Sequence, residues 1–144
     1  MFFFFMDPQD APMFGNGLKA FEHGLDLLRE VDSKMTVSAA ASFVHIARRM
    51  PAMYGGSVTM ADIAKDMNMN YASFMRSADV MAEGGANTRG LNLLEPGLFP
   101  DNKRAKQFRL TPSGLQLLQN IDFVVSTEAK KSYLNREPGL GDID

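Results

Sequence analysis

Residues 58–85, VTMADIAKDMNMNYASFMRSADVMAEGG, decide the fold of this chain. Thr59 is followed three residues later by Asp62, a spacing that predicts a reciprocal capping box at the start of a short helix. Asn70 predicts the N-cap of a second helix, and the glycines at 84–85 predict its end. Because only the residues NMN separate the two helices, they are expected to form a helix-turn-helix unit.

A helix over about 17–32 is predicted well before this unit. Its apolar residues recur at spacings of three and four and therefore form one stripe. The residues of this stripe are Leu18, Phe21, Leu25 and Leu28. Such a stripe packs either against the core of its own chain or against a second subunit.

A second helix is predicted over about 36–50, directly before the helix-turn-helix unit. Thr36 or Ser38 is suited to its N-cap. The paired arginines near its end lie where cations complement the helix dipole. Pro51 is expected to end this helix, because proline has no N–H to donate.

The segment after the helix-turn-helix unit predicts a β-hairpin and a last helix. GLNLLEPG and KQFRLT are typical of strands, and LFPDN between them has the composition of a turn. Pro112 suits the first turn of a helix that starts after Thr111. The chain is thus expected to be mainly α-helical with a small β-hairpin. The apolar stripe of the last helix comprises Leu115, Leu118, Ile121 and Val125, widened by Leu117 and Val124.

Positive charge is concentrated in the predicted hairpin, although the chain as a whole is slightly acidic. The net charge is −2 and the pI is about 5.7, so any binding to a polyanion has to be local. Lys103, Arg104 and Lys106 are expected at or beside the hairpin tip, where each would neutralise a DNA phosphate and release a counterion. Arg109 lies further along the strand, where alternation aims it at the outer face of the sheet or at another subunit.

The predicted order of elements is helix, helix, two short helices, hairpin and long helix. This order defines a winged helix-turn-helix layout, an α+β arrangement in which the second short helix enters the major groove of DNA. The hairpin, or wing, then reaches the phosphate backbone or the neighbouring minor groove. The candidate DNA-binding residues of the second short helix are Asn70, Tyr71, Ser73 and Arg76. The alternatives are an ordinary solvated charge for Arg76 and a role in the helix cap for Ser73.

Residues 58–85 resemble the core of MarR-type transcriptional regulators, whose pattern runs roughly LTxxELAxxLGLSxSTVSRLVDRLEEAGL. The stretch KRAKQFRLTPSGLQLL resembles the family's RRxxxxxLTxxGxxLL, with Lys103 and Arg104 at the paired basic positions. The resemblance covers roughly residues 17–128. The other matching positions are Ile63, Ala64, Met69, Asn70, Ser73, Phe74, Arg76, Asp79, Met81, Gly85, Leu110, Thr111, Gly114 and Leu118.

The resemblance implies a homodimeric, cytoplasmic transcriptional regulator that binds double-stranded DNA, with repression as the expected mode. Relatives of this fold dimerise through their N- and C-terminal helices, which here carry the stripes Leu18–Leu28 and Leu115–Val125. Many relatives also bind a small aromatic effector, but no residue of this chain identifies such a ligand. No membrane partner is implied.

The main alternative is a winged-helix protein–protein adaptor that has lost DNA binding. Residues 1–34 and 121–144 carry net charges of −3 and −2, which is unfavourable for contact with a polyanion. The first predicted strand, NLLEP, has no base, whereas many relatives of the MarR type have bases there. These features and the apolar run at the start of the chain lend the adaptor some support, while the DNA-binding regulator is the main interpretation.

The composition argues against catalysis and against metal binding. The chain has no cysteine, which excludes disulfides and thiolate chemistry. His23 and His45 are its only histidines and fall on different predicted helices, so no metal site or cofactor is expected. Phosphate-binding loops, dinucleotide-binding loops and nucleophile elbows do not occur in the sequence. The chain is therefore not expected to be an enzyme.

The two ends of the chain are expected to lie outside the folded domain. The leader, residues 1–16, begins MFFFFMDPQD and lacks both the basic region of a signal peptide and the ~20 apolar residues of a membrane span. Two interpretations of its apolar run remain, a flexible tail or an arm that docks on the same or a partner subunit. Residues 129–144 are expected to form an acidic tail.

Overall fold

The computed structural model describes residues 15–84, 89–99 and 102–136, and of residues 98–99, 102–106 and 132–136 it describes the backbone alone. Within these ranges, helices and strands follow in the predicted order, which confirms a mainly helical chain with one antiparallel hairpin. The elements are α1 (Asn16–Val31), α2 (Val37–Tyr54), α3 (Met60–Asp66), α4 (Tyr71–Met81), β1 (Leu94–Phe99), β2 (Asn102–Leu110) and α5 (Pro112–Arg136).

The chain divides into two compact units. The central unit comprises Leu28–Gln119, and the terminal unit combines α1 as far as Leu27 with α5 from Asn120 onward. Helix α5 runs to Arg136, so the first eight residues of the segment predicted as a C-terminal tail are helical. The rest of the predicted tail and residues 1–14 of the leader lie outside the described ranges.

Helix α2 begins where the sequence predicts and ends one turn later. The Thr36 side chain accepts a hydrogen bond from the Ala39 amide at 3.0 Å, so Thr36 is the N-cap. Pro51 lies inside the helix, which ends at Tyr54, so the prediction that Pro51 ends it was wrong. The proline ring fixes a helical φ and removes only its own N–H, so the backbone beyond it stays helical. The arginines at 48–49 consequently lie before the last turn.

The core of the central unit forms around α2, which packs against α3, α4 and β2. The spacing of apolar residues along each helix turns one face of it toward this core. Phe74, Ala78 and Met81 of α4 are buried, as their helical spacing predicts. The other large apolar side chains that are fully buried are Phe43, Ile46 and Met53 of α2, Met60 and Ile63 of α3, Leu94 of β1 and Phe108 of β2.

The first turn of α5 is held against the residues that precede the hairpin. The Thr111 hydroxyl donates to the Asn92 carbonyl at 2.6 Å and accepts from the Gly114 amide at 3.0 Å. The Thr111 amide donates to the Leu93 carbonyl at 3.2 Å. Helix α5 begins at Pro112 as predicted, and its start is fixed from two sides.

The terminal unit is a thin pair of helices. Gly24 of α1 is buried, and a Cβ atom there would lie 3.5 Å from Val125 and 3.7 Å from Ile121. Part of the α5 stripe therefore packs within its own chain. The α1 stripe does not, because Leu18, Phe21 and Leu25 are exposed.

Gly114→Ala is expected to destabilise the protein by about 1–3 kcal/mol, because the new methyl group would collide with the Leu93 carbonyl oxygen. Gly17→Ala is the matched control, since no atom lies within 4 Å of a Cβ atom at this α1 position. The control is expected to gain about 0.5–1 kcal/mol, as alanine favours the helix. Urea unfolding at constant slope measures both changes. Equal effects of the two substitutions would contradict the close approach of α5 to Leu93.

Candidate nucleic-acid interface

The start of α3 carries the capping box that the sequence predicts. The Thr59 hydroxyl accepts from the Asp62 amide at 3.1 Å, and the Asp62 carboxylate accepts from the Thr59 amide at 2.8 Å. The hydrogen bond that the Asp62 carboxylate accepts from the Thr59 amide and, after it, the neighbouring Thr59 side chain lower the pKa of Asp62 below its ordinary value. The capping box fixes where α3 starts and therefore where the turn after it falls.

The turn between α3 and α4 is tight and depends on asparagine. The backbone at Asn68 has φ of 54°, a left-handed conformation that asparagine tolerates better than most residues. Around it the Met69 amide donates to the Ala64 carbonyl at 2.9 Å, which closes the end of α3. The predicted pair of short helices joined by a tight turn is therefore present.

Helix α4 is capped by Asn70 and held by its apolar face. The Asn70 side-chain oxygen accepts from the amides of Ala72 at 2.9 Å and Ser73 at 3.4 Å. At the other end the Gly84 amide donates to the Asp79 carbonyl at 2.7 Å, with φ of 83° at Gly84. Gly84 supports the predicted end of α4, whereas Gly85 lies outside the described residues.

The candidate residues on α4 divide into two kinds. Tyr71 is 48% exposed, and Arg76 is exposed one turn further along the helix. Ser73 is half-buried, and its hydroxyl accepts a hydrogen bond from Arg76 Nη2 at 3.1 Å. The side-chain oxygen of Asn70 is already used in the cap. Tyr71 and Arg76 are thus the two exposed candidates whose side chains are not used to cap α4.

A shallow open cleft of about 420 Å³ lies where α3 meets α4. Its apolar lining comes from Ala61, Ala64 and Met69, and its polar lining includes Lys65. Lys65 was missed by sequence reasoning, which looked for bases on the second helix and the hairpin only. It lies in the last turn of α3, so a reading of both helices of the pair would have found it. Tyr71 and the side chains of Asn68 and Asn70 complete the lining.

The hairpin turn is shorter than predicted, β1 begins at Leu94 and not at Gly90, and the longer second strand is irregular near the tip. Residues 98, 99 and 102 lie in the strands and not in the turn. Leu98 pairs with Lys106 and Phe99 with Asn102, so the residues at 103–105 have no partner in the register of β1. The backbone of Lys103 and Arg104 therefore lies in an irregular segment of β2.

Arg109 is neutralised by a partner on the neighbouring strand. It lies opposite Glu95 in the register, and its Nε donates to the Glu95 carboxylate at 2.7 Å. Tyr54, the last residue of α2, lies beside this pair. Partial burial raises the pKa of the Tyr54 hydroxyl above its ordinary value, which the Arg109 charge opposes and the Glu95 charge supports. Sequence reasoning missed this cluster because its members are distant in the chain.

The two units carry opposite net charges. The central unit holds eleven bases and eight acids, a balance of +3. The terminal unit holds four bases and nine acids, a balance of −5, which together with the central unit makes −2 for the whole chain. The central unit is therefore the part of the chain to which a polyanion would be attracted.

Comparison with models of known protein families, with curated proteins and with solved structures gives no match. Among the residues that the structure describes, none of the helices is both long and apolar enough to span a membrane. Within the same residues, no three histidine, cysteine or acidic side chains come together as a possible metal site.

Asp62→Ala is expected to lower the free energy of unfolding at neutral pH. This loss is expected to become smaller as the pH falls into the acid range. The folded-state pKa of Asp62 is lowered below the ordinary 3.8, so the charged carboxylate stabilises the fold above that value. Its contribution is lost as the pH falls through the lowered pKa. Urea unfolding of the unsubstituted protein and of Asp62→Ala between about pH 2 and pH 6 measures the difference in their free energies of unfolding. A difference that persists undiminished at the acid end would show that the carboxylate charge does not support the cap.

Proposed function

We propose that this protein is a winged helix-turn-helix transcriptional regulator of the MarR kind, which binds double-stranded DNA as a homodimer. The observation that carries the proposal is the sequence of a tightly linked helix pair and a hairpin whose second strand is irregular at Lys103 and Arg104. A helix presented beside a basic hairpin matches the major groove and the adjacent phosphates. Repression is the expected mode, because a protein seated on an operator excludes other proteins from it.

Helix α4 is the element that enters the major groove in this proposal. Its apolar face, which consists of Phe74, Ala78 and Met81, is buried in the core, and the opposite face is left for DNA. Arg76 is suited to a base edge or a phosphate, and the Tyr71 hydroxyl to a phosphate. The remaining candidates on this helix, Asn70 and Ser73, contribute mainly by fixing its start and by holding the Arg76 guanidinium.

The hairpin supplies the charge that the helix lacks. Arg76 is the one base on α4, and a single guanidinium supplies little of the affinity of a DNA-binding protein. Lys103, Arg104 and Lys106 add three bases on one strand. Arg109 is excluded from this set because Glu95 already neutralises it. Lys65 of α3 is a further candidate for a phosphate contact.

The dimer is proposed to form through α1 and α5. Among the residues of the terminal unit whose side chains are described, only Ala20, Gly24 and Glu128 are buried, which makes a poor core. Phe123 of α5 is 71% exposed, which makes α5 the principal surface for a second copy. Two-fold symmetry would then place two α4 helices one turn of DNA apart, on a palindromic operator.

The adaptor remains the second candidate function, and two ion pairs favour it. Arg109 is paired with Glu95, and Arg49 donates to Asp66 at 2.6 Å. Both pairs remove bases from the set that is free to meet phosphates. An adaptor would bind through the exposed Tyr71 and the cleft beside it.

The double substitution Lys103→Ala/Arg104→Ala is expected to flatten the salt dependence of DNA binding. Each phosphate contact contributes about 0.9 to the log–log slope, so losing two per subunit lowers the slope by roughly 3–4 in a dimer. The fold is expected to change in stability by less than about 0.5 kcal/mol. Binding to a random-sequence duplex at several salt concentrations measures the slope.

Lys19→Ala/Lys130→Ala is the matched control for charge, because both lysines are exposed on the terminal helices. Its salt slope is expected to equal that of the unsubstituted protein. If the hairpin variant keeps the full slope as well, the hairpin does not touch phosphates. If the unsubstituted protein shows almost no slope, the adaptor becomes the better proposal.

Phe123→Glu is expected to weaken the dimer by at least about tenfold, since burial of an exposed aromatic side chain contributes more than 1 kcal/mol to many interfaces. Val37→Glu is the matched control, because Val37 is 83% exposed on α2, outside the terminal unit. Light scattering over a range of concentrations measures the dissociation constant. A dimer equally weakened by both substitutions would place the interface elsewhere, and a monomeric unsubstituted protein would exclude the dimer.

A further inference from the structure

Helix α1 has two apolar faces, and α5 covers one of them. The covered face carries the small residues Ala20 and Gly24, which are buried. The outer face of α1, defined here as Leu18, Phe21 and Leu25, is exposed by 53%, 61% and 44%. At 100° per residue the two faces are about a third of a turn apart, so α5 cannot cover both.

The outer face of α1 is too small to hold a second copy by itself. Three side chains at roughly half exposure offer on the order of 300 Å². A stable protein–protein interface buries ~800 Å² on each partner. An area of this size instead fits a short apolar segment of about six residues, laid along two turns of a helix.

Such a segment exists a few residues before α1 in the same chain. Residues 2–6 read FFFFM. The described part of the chain begins at Gly15, next to the first residue of α1. The link between the run and α1, residues 7–15, contains Pro8, Pro12 and Gly15, residue types that favour chain reversal. Nine residues span up to ~30 Å, whereas Leu18 and Leu25 are ~10 Å apart along the helix. The run can therefore reach any part of the outer face.

We propose that the apolar run Phe2–Met6 lies along the outer face of α1 of its own chain, antiparallel to the helix. Four consecutive phenylalanines would otherwise face water beside three exposed apolar side chains, an arrangement that leads to aggregation. The reversal also brings Asp7 and Asp10 near the first turn of α1, which has no acidic residue of its own. The proposal does not depend on DNA binding.

Limited digestion with chymotrypsin tests the proposal, because the enzyme cleaves after phenylalanine. Mass spectrometry follows the loss of residues from the run in the full chain, at two protein concentrations a hundredfold apart. Cleavage within the run is expected to be slow in the unsubstituted protein and to proceed at the same rate at both concentrations. In Phe21→Glu it is expected to be about tenfold faster or more, since the burial of an aromatic side chain is lost.

Two further variants keep the outcome independent of misfolding. Leu25→Glu changes the same face at a second position and is expected to release the run as Phe21→Glu does. Val37→Glu adds the same charge at an exposed apolar position of α2 and is expected to leave the cleavage rate unchanged. Circular dichroism confirms that all variants remain helical.

Two results would overturn the proposal. If the run is cleaved as fast in the unsubstituted protein as in Phe21→Glu, it does not cover the outer face of α1. If its protection rises with protein concentration, the run lies on a second copy and not on its own chain. Neither result affects the salt dependence of DNA binding. The cleavage experiment therefore tests the position of the run independently of the proposed function.

Discussion

Burial of one face of α2 is the constraint on which the rest of the central unit depends. Phe43, Ile46 and Met53 are completely buried, and α3, α4 and β2 all pack against this helix. Since large apolar side chains removed from water supply most of the stabilisation of a small domain, α2 sets where its neighbours lie. The outward face of α4 and the position of β2 both follow from this packing.

Many of the polar residues near the candidate interface are used by the fold and are not left for a ligand. Thr59 and Asp62 bind each other's backbone, and the Asn70 side-chain oxygen closes the start of α4. What stays available is a short set, Tyr71 and Arg76 on α4 with Lys65 beside them, and the proposal of DNA binding therefore leans on the hairpin. An interface of this composition would take more of its affinity from phosphates than from bases.

The two units carry opposite net charges, which the small net charge of the whole chain hides. The central unit is basic and the terminal unit acidic, although the whole chain is close to neutral. In the proposed regulator this separation would direct the central unit toward DNA and leave the terminal unit for association. Such a division explains how a chain with net charge −2 is compatible with binding a polyanion.

Local chemistry by itself determined the order of elements and most of their starts. Thr36, Thr59 and Asn70 cap their helices as predicted, because a cap needs only a side-chain oxygen within three residues of an orphan amide. Tertiary structure decided the features that local rules leave open. The Glu95–Arg109 pair depends on strand register, and the α1 stripe is exposed because the small residues of α1 allow the closer approach to α5. Both features depend on residues far apart in the chain. Their contacts form only once the elements have packed, so local sequence rules do not predict them.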